Sequence, residues 1–265
     1  MTALGTDKML AHKEGAIGWI TFNNPGRHNA VALEMWQGLH DAVAAFAQDD
    51  EVRVLVLRGA GGKAFVSGAD ISEFEDRRSS TRTIADYDAI AARASTALRE
   101  VNKPTVAMIR GYCVGAGVAL ALNCDLRMAA DDARFAVPAA KLGLGYEFEG
   151  VRRLVQVVGP AFAQEIFFTA RQFSAAEALA MGLVNRVVPA DGLEDFVRDH
   201  AAMIAGNAPL TVASIKTLVA QALKDEADRD PALCREVVAR CFASADYVEG
   251  RRAFMEKRKP VFRGR

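Results

Sequence analysis

The chain has 265 residues, of which 51% are hydrophobic and 25% are charged, and its 33 basic residues balance 33 acidic ones. This composition predicts a soluble globular protein with a sizeable core, and zero net charge gives no reason to expect binding to nucleic acid. No apolar run reaches the ~20 residues of a membrane-spanning helix, and the N-terminus lacks the pattern of a secretory signal. We therefore expect a cytoplasmic protein without a membrane span.

The four cysteines, Cys113, Cys124, Cys234 and Cys241, show no CxxC or zinc-ligand spacing. Cysteines in such a pattern are most often reduced, buried thiols of a cytosolic protein. The four histidines are scattered, and none belongs to an HExxH motif. The sequence therefore predicts no metal site.

Short strands and helices alternate from residue 16 to residue 188. Apolar and β-branched clusters predict strands at residues 16–22, 52–57, 105–109, 126–129, 134–137 and 184–188. Residues 64–70 are predicted as a short extended piece that leads into a turn. The run at 52–57 is apolar throughout, which predicts burial on both faces of a sheet. Helical periodicity or capping predicts helices at residues 31–47, within 70–100, and at 118–122, 151–158, 161–169 and 174–181.

From residue 193 onward the pattern is helical only, with helices predicted at about 193–205, 210–224, 231–243 and 246–258. Alternating strands and helices indicate an α/β layered core, and a purely helical end indicates an appendage or an oligomer surface. We therefore divide the chain into residues 1–192 and residues 193–265.

A strand, a glycine-rich turn and the start of a buried helix follow one another within residues 103–131. With glycines at Gly111, Gly115 and Gly117, this arrangement presents backbone N–H groups at a helix N-terminus, which suits an anion or a developing oxyanion. The spacing does not fit GxGxxG, there is no GxxxxGK[ST], and Ser67 is not in a GxSxG motif. Dinucleotide binding, phosphoryl transfer and a serine-hydrolase elbow are therefore disfavoured.

Several motifs, in this order, resemble the crotonase (enoyl-CoA hydratase/isomerase) family: Phe65-Val-Ser-Gly-Ala-Asp70-Ile, Lys103-Pro-Thr-Val-Ala, Gly111-Tyr-x-x-Gly-x-Gly, Cys124-Asp125-Leu, Phe135-x-x-Pro138, Ala178-x-x-Met181-Gly-Leu-Val184 and Phe254-x-Glu-Lys-Arg. The resemblance covers nearly the whole chain from about residue 16. It implies a spiral of ββα units in residues 1–192. It also implies a C-terminal helical oligomerisation domain, residues 193–265, which builds homotrimers that often pair into hexamers.

The resemblance also implies an acyl-CoA thioester as ligand, with coenzyme A entering as part of the substrate and no separate cofactor. Its carbonyl would be held by two backbone N–H groups, which by motif position belong to Ala69 and Ala116. A thioester enolate concentrates charge on one oxygen, and one preorganised donor to such an oxygen is worth roughly 10²–10³ in rate. Backbone donors do not depend on the side chain, so alanine suits both positions.

Hydratases of this family carry two catalytic glutamates, at the positions that Ala119 and Ala139 occupy here. Since alanine transfers no proton, the two-glutamate mechanism of hydration is not expected. Substitute carboxylates are Glu147 and Glu149, of which Glu147 falls where related dienoyl-CoA isomerases place a catalytic aspartate. If this segment is extended, the two point in opposite directions and at most one faces the acyl chain. Tyr146 is a weaker polar candidate.

A structural role for Glu147 or Glu149, either in a solvated loop or paired with Arg152 or Arg153, is the alternative. Asp125 is expected to brace the fold. By motif position, coenzyme A would contact Ser67, Gly68, Ala69, Asp70, Ile71 and Gly115. Tyr146 would lie near the acyl chain, and Arg27 and His28 would lie near the adenine. Lys257 and Lys259 of a neighbouring subunit would lie near the phosphates.

These residues favour an enzyme that stabilises a thioester enolate and transfers a single proton, as an isomerase does, over an efficient hydratase. Two alternatives remain open at this stage. One is a protein that binds and delivers acyl-CoA without turnover, and the other is decarboxylase or thioesterase chemistry on the same enolate. The sequence does not distinguish acyl-chain length or trimer from hexamer.

Overall fold

The fold is taken from a computed structural model, and the structure describes residues 4–70 and 81–265. The strands are Met9–Glu14 (β1), Ile17–Phe22 (β2), Val54–Gly59 (β3), Ala64–Val66 (β4), Thr105–Ile109 (β5), Tyr112–Val114 (β6), Leu126–Ala130 (β7), Arg134–Ala136 (β8), Phe173–Ser174 (β9) and Arg186–Val188 (β10). The helices are Leu33–Gln48 (α1), Thr81–Glu100 (α2), Ala116–Asn123 (α3), Ala139–Leu142 (α4), Phe148–Thr169 (α5), Ala175–Ala180 (α6), Leu193–Ala205 (α7), Pro209–Ala222 (α8), Pro231–Phe242 (α9) and Ala245–Met255 (α10).

Two sheets build the core. The larger has the order β1-β2-β3-β5-β7-β10, in which β1 is antiparallel to β2 and the other pairs are parallel. The smaller has the order β4-β6-β8-β9. Strands β3, β5 and β7 of the larger sheet are each followed by a strand of the smaller sheet and then by helix. The expected succession of ββα units is confirmed.

Three strands, β1, β6 and the two-residue β9, were not expected from the sequence. Strand β1 buries Met9 and Ala11, leaves Leu10 and His12 half-buried, and forms by pairing with all six residues of β2. Strand β6 lies where only a glycine turn was predicted, and its three residues pair with β4 on one side and β8 on the other. Pairing with neighbours rather than local propensity stabilises β1 and β6.

Each face of the larger sheet packs into its own apolar cluster. Leu55 and Leu57 of β3 face the larger cluster, which includes α1, whereas Val54 and Val56 face the other. The second cluster is covered by α7, through Leu193, Val197, Ala201 and Ala205. The predicted burial of this strand on both faces is therefore confirmed. The division at residue 192 remains a prediction, and α7, which begins one residue later, packs on the sheet.

Ion pairs and hydrogen bonds attach the last helices to the core. The Lys216 ammonium on α8 lies 2.8 Å from the Asp125 carboxylate, and it donates to the Lys103 carbonyl at 3.0 Å. Asp125 also accepts from the backbone N–H and the hydroxyl of Thr105, so its expected bracing role is confirmed. Helices α8, α9 and α10 nevertheless leave large apolar side chains exposed: Ile215, Val219, Leu223, Val238, Phe242, Val248, Phe254 and Met255.

Helix α5 contains a break, because Gly159 has φ 77° and ψ 166° and Pro160 follows it. The two helices predicted at 151–158 and 161–169 are the two arms of this bent helix. Within residues 4–70 and 81–265 no single helix has the length and apolar character needed to cross a membrane. The segments Ala190–Ala205 and Pro209–Ala222, bent by 103°, reach that length and composition only together.

Candidate active site

The turn after β4 and the start of α3 lie against each other. A Cβ atom placed on Gly115 would lie 3.8 Å from the Cα atom of Gly68. Gly115 has φ 54° and Gly68 has φ 127°, conformations that side chains disfavour. A Cβ atom on Gly117 would lie only 2.2 Å from the Val66 carbonyl oxygen. Glycines thus bring the start of the helix into contact with the end of the strand.

The peptide group of Ala69 is oriented by Val31. The Val31 N–H donates to the Gly68 carbonyl at 2.8 Å, and the Asp70 N–H donates to the Val31 carbonyl at 3.0 Å. In this parallel bridge the N–H and the carbonyl of Ala69 itself point away from Val31. Strand β4 pairs with β6 along its other edge, so the Ala69 N–H faces the side on which Gly115 lies.

Ala116 is the first residue of α3, and the N–H groups of a first helical turn have no partner within the helix. The Gly115 N–H donates to the Ala136 carbonyl, and the first intrahelical bond runs from Ala119 to Gly115. In the part of the chain that the structure describes, neither the Ala116 N–H nor the Ala69 N–H has a hydrogen-bond acceptor. Two free donors on adjoining turns can hold one carbonyl oxygen, and the helix dipole favours negative charge there.

The residues at the two glutamate positions contribute only methyl groups. Ala119 lies one turn inside α3 and is half-buried, and Ala139 begins α4 with 7% of its surface exposed. Neither alanine side chain can supply a proton to the substrate or remove one. Among the described residues, this part of the site therefore provides only the backbone N–H donors of Ala69 and Ala116.

Glu147 and Glu149 lie at the start of a helix and not in an extended segment. Glu147 precedes α5 with φ −64° and ψ 139°, and Glu149 is in its first turn. Both are exposed. The Glu149 carboxylate lies 3.8 Å from the Arg152 guanidinium, which is the structural alternative considered above. The Glu147 side chain makes no ion pair with any described residue.

Tyr146 precedes these carboxylates, and its ring packs edge-on against Phe167 with centroids 4.8 Å apart. Burial raises the pKa of the Tyr146 phenol, which therefore stays protonated at neutral pH. Phe148, in contrast, is 72% exposed. The apolar surroundings expected around the two carboxylates are therefore only partly formed within one chain.

The expected coenzyme A residues lie together in part. The backbone N–H of Ser67 donates to the His28 carbonyl at 3.2 Å, and the Arg27 guanidinium lies 3.1 Å from the buried Asp70 carboxylate. The 27–28 loop and the 67–70 turn are therefore neighbours, as the resemblance implies. Ile71 lies outside the described residues. Lys257 follows α10 on the exposed surface, and no contact among the described residues joins it to this turn.

The cysteines differ in their surroundings. Cys113 and Cys124 are buried, which raises the pKa of both thiols, that of Cys124 to about 12. Neither is therefore suited to act as a nucleophile. Cys234 and Cys241 are half-buried, which differs from the expected full burial. Among the residues described, no group of three or more His, Cys, Asp or Glu side chains is arranged to hold a metal ion.

The sequence does not indicate that Val31 orients the Ala69 peptide, because residue 31 is predicted only as the start of a helix. Nor does it mark Asn29 as a site residue, although the Asn29 amide nitrogen donates to the carbonyls of Ala60 and Ala64. The one local signal is that Asn29 follows a turn-forming Asn-Pro-Gly segment and is a residue type that tolerates positive φ. Its contacts to residues 31 and 35 positions farther along the chain carry no such signal.

Residues 12–265 match the family model of enoyl-CoA hydratase/isomerase proteins, so the chain belongs to this family. A short-chain-enoyl-CoA hydratase of Clostridium acetobutylicum is 33% identical over 253 residues, which are 96% of this chain and 96% of the relative. A carnitinyl-CoA dehydratase of Salmonella enteritidis is 34% identical over 257 residues, 96% of this chain and 97% of the relative.

A solved structure of an enoyl-CoA hydratase/carnithine racemase from Magnetospirillum magneticum matches with a TM-score of 0.94 and 39% identity, over 98% of this chain and 97% of that one. The predicted crotonase-like α/β fold and the family are confirmed. The family to which the chain belongs consists of enzymes that act on acyl-CoA thioesters.

Proposed function

We propose that the protein binds an acyl-CoA thioester and polarises its carbonyl between the backbone N–H groups of Ala69 and Ala116. The observation that carries this proposal is that these two N–H groups, on adjoining turns, have no hydrogen-bond acceptor among the described residues. Such donors stabilise an enolate more than the thioester from which it forms, because the oxygen gains charge as the α-proton leaves. Coenzyme A would enter as part of the substrate, with no separate cofactor.

Single-proton chemistry, such as isomerisation of a double bond, suits this site better than efficient hydration. Hydration requires one group to activate water and another to protonate the α-carbon, and Ala119 and Ala139 provide neither. Several relatives are named hydratases or dehydratases, which favours hydration. The resemblance nevertheless implies a cost of roughly 10²–10⁴ in rate for each missing acid or base.

Glu147 is the better candidate for the proton shuttle. Glu149 is paired with Arg152, whereas Glu147 has no described cationic partner and lies directly before α5. Glu147 is exposed in the single chain, so a bound acyl group or a second subunit must cover it to bring it into contact with the reacting carbon atoms. Glu149 remains the second candidate.

Turnover of a panel of enoyl-CoA and dienoyl-CoA thioesters tests this assignment. We expect isomerase activity to fall at least 10²-fold in Glu147→Gln and to change little in Glu149→Gln, since a catalytic acid or base is typically worth 10²–10⁴. Glu236→Gln, on the exposed surface of α9, is the matched control. Full activity in both Glu147→Gln and Glu149→Gln would exclude the shuttle.

A second candidate is a protein that binds and delivers acyl-CoA without changing it, which the methyl groups of Ala119 and Ala139 favour. Calorimetry would then show binding of crotonyl-CoA and butyryl-CoA, with no product after long incubation and no exchange of the butyryl-CoA α-proton in D₂O. Measured α-proton exchange would exclude this candidate. Release of carbon dioxide or of free coenzyme A from the panel would instead indicate decarboxylase or thioesterase chemistry.

We also propose that the protein forms a homotrimer, or a dimer of trimers, in the cytoplasm. The exposed apolar side chains of α8, α9 and α10 support self-association, because contiguous patches of this kind mark interaction surfaces. In such an assembly Lys257 of one subunit would approach the coenzyme A phosphates of its neighbour, where a cation is favourable.

A further inference from the structure

Asn29 is fully buried and adopts φ 56°, in the left-handed region that asparagine tolerates. Its amide nitrogen donates to the carbonyls of Ala60 at 3.0 Å and Ala64 at 2.8 Å. Its amide oxygen accepts from the Asn24 N–H at 2.9 Å. One side chain therefore joins the loop after β2 to the turn before β4.

The residues around Asn29 hold the turn that follows β4. The carbonyls of Arg27 and His28 accept from the Ser67 hydroxyl and N–H, and the Arg27 guanidinium pairs with the Asp70 carboxylate. Val31 bonds to Gly68 and to Asp70, one on each side of Ala69. Five interactions thus connect residues 27–31 with residues 67–70.

The orientation of the Ala69 N–H depends on this connection. A peptide group in a turn is free to rotate unless its neighbours are held, and glycine at position 68 adds further freedom. The Gly68 carbonyl that accepts from the Val31 N–H shares one planar peptide group with the Ala69 N–H, so this bond fixes the direction of the N–H. The Val31 carbonyl holds the next peptide group through the Asp70 N–H, and the left-handed backbone of Asn29 directs the chain from Asn24 toward Val31. Loss of the Asn29 side-chain bonds would therefore release the residues that keep the Ala69 N–H directed toward Gly115.

We propose that Asn29 is a positioning residue, which orients the Ala69 N–H toward the thioester carbonyl by holding residues 27–31 against residues 67–70. Asn29 itself is buried behind this loop and contacts no substrate. The inference rests on the proposed function, since it requires a thioester carbonyl to be held at Ala69.

The test compares Asn29→Gly, which tolerates the left-handed backbone but loses the three side-chain bonds, with the wild-type protein. The probes are crotonyl-CoA labelled with ¹³C at the thioester carbonyl and a CoA thioether of equal chain length without the carbonyl. We expect wild type to prefer the thioester and to shift its carbonyl stretch to lower frequency. Asn29→Gly should lose most of this shift and bind the thioether with unchanged affinity. It should also exchange the α-proton of butyryl-CoA, whose loss forms the enolate, about 10²-fold more slowly, the value of one donor.

Asn23→Ala is the matched control, because the Asn23 amide donates to the Asp7 carbonyl and not to this turn. It should retain the wild-type shift. If Asn29→Gly does not fold, Arg27→Gln provides the second variant, since the Arg27 side chain is 57% exposed and its replacement removes the ion pair with Asp70 without opening the core. Arg27→Gln should reduce the carbonyl shift in part. Any direct contact of Arg27 with coenzyme A affects the binding of the thioester and the thioether equally, so its effect cancels in the ratio of the two affinities.

The two possible failures are distinguishable. A wild-type protein that binds the thioester and the thioether equally, with no carbonyl shift, would exclude the proposed function itself. A wild-type shift that persists in folded Asn29→Gly, or in Arg27→Gln where the former does not fold, would exclude only the positioning role.

Discussion

At the scale of single residues, Gly117 limits how closely α3 approaches the end of β4. The neighbouring atom is a backbone carbonyl oxygen, that of Val66, which cannot rotate out of the way as a side chain can. The residue adopts ordinary helical backbone, so the requirement for glycine is one of space and not of conformation. The position of the Ala116 N–H therefore depends on the missing side chain at residue 117.

We predict that Gly117→Ala lowers the free energy of unfolding by about 1–3 kcal/mol, the usual cost of overpacking. It should also abolish the carbonyl shift of bound crotonyl-CoA, because α3 must move away from Val66. Denaturant unfolding and infrared spectroscopy measure the two effects. Gly192→Ala is the control, since a Cβ atom there meets nothing within 4 Å. A Gly117→Ala protein of wild-type stability would contradict the close approach.

At the scale of elements, two arginines bind the C-terminal end of α3. The buried Arg127 guanidinium donates to the carbonyls of Ala121, Cys124 and Leu183, and Arg153 donates to the Leu122 carbonyl at 3.0 Å. Burial lowers the pKa of Arg127 from its ordinary value, yet an arginine remains charged at neutral pH. Positive charge at this end complements the helix dipole and satisfies carbonyls that the last turn leaves free.

We expect Arg127→Met to lower the free energy of unfolding by about 3 kcal/mol, because each buried carbonyl left without a donor costs roughly 1–3 kcal/mol. Urea unfolding measures this difference. Arg134→Met, at an exposed strand position, is the control and should lie within about 0.5 kcal/mol of wild type. Equal stability of the two variants would show that α3 does not need the buried guanidinium.

The start of α6 is a capping box, as the spacing of Ser174 and Glu177 predicted. The Ser174 hydroxyl accepts from the Glu177 N–H, and the Glu177 carboxylate accepts from the Ser174 N–H at 2.8 Å. This backbone bond, together with the Arg171 guanidinium and the Ser174 hydroxyl, lowers the pKa of Glu177 to about 2. A carboxylate whose pKa is lowered by folding stabilises the folded state while it is ionised.

Because folding lowers the pKa of Glu177, the stability of the folded protein depends on pH in the acid range. The contribution of Glu177 is fully present above its ordinary pKa of 4.5 and is lost as the pH falls from there toward 2. We predict that the difference in melting temperature between wild type and Glu177→Gln is constant above about pH 5 and shrinks below it. Thermal unfolding over this pH range provides the measurement. A difference independent of pH would show that the carboxylate is not stabilised by its contacts in solution.

At the scale of the whole molecule, the exposed apolar residues are concentrated on the helices that follow α7. Ile215, Val219 and Leu223 repeat every four residues along one side of α8, and Phe254 and Met255 end α10 with more than 70% of their surface exposed. The face of the sheet under α7 is already covered. Association through the last three helices would bury this surface without disturbing the core.

We predict that the protein in solution has the mass of three or six chains, measured by light scattering after size-exclusion chromatography. Val219→Asp and Phe254→Asp should each shift the mass toward the monomer, since an unpaired buried charge at an interface is unfavourable. Asp199→Asn, at an exposed position of α7, is the control and should leave the mass unchanged. A wild-type monomer would contradict the proposed assembly and with it the role of Lys257.

Helices and most strands were predictable because apolar periodicity records which side of an element is buried. The helix Leu33–Gln48 and the strand Thr105–Ile109 lie close to their predicted bounds. Strand β6 was not predictable, because partner strands distant in the chain stabilise it. Strand β1 has no clear strand pattern of its own and forms by pairing with β2, which follows it directly. The Ala69 and Ala116 positions came from motifs, whereas the directions of their N–H groups required the bridge to Val31 and the start of α3.

The sequence by itself determined the family, the ββα succession and the alanines at positions 119 and 139, because these depend on residue types at fixed places along the chain. Only the tertiary structure decided that Glu149 pairs with Arg152, that α7 covers the sheet, and that the Asn29 amide donates to the Ala64 carbonyl. The physical reason is the same in each case. A hydrogen bond or an ion pair forms only when its two groups lie about 3–4 Å apart in space. For residues far apart in the sequence, their spacing along the chain does not indicate whether they come this close.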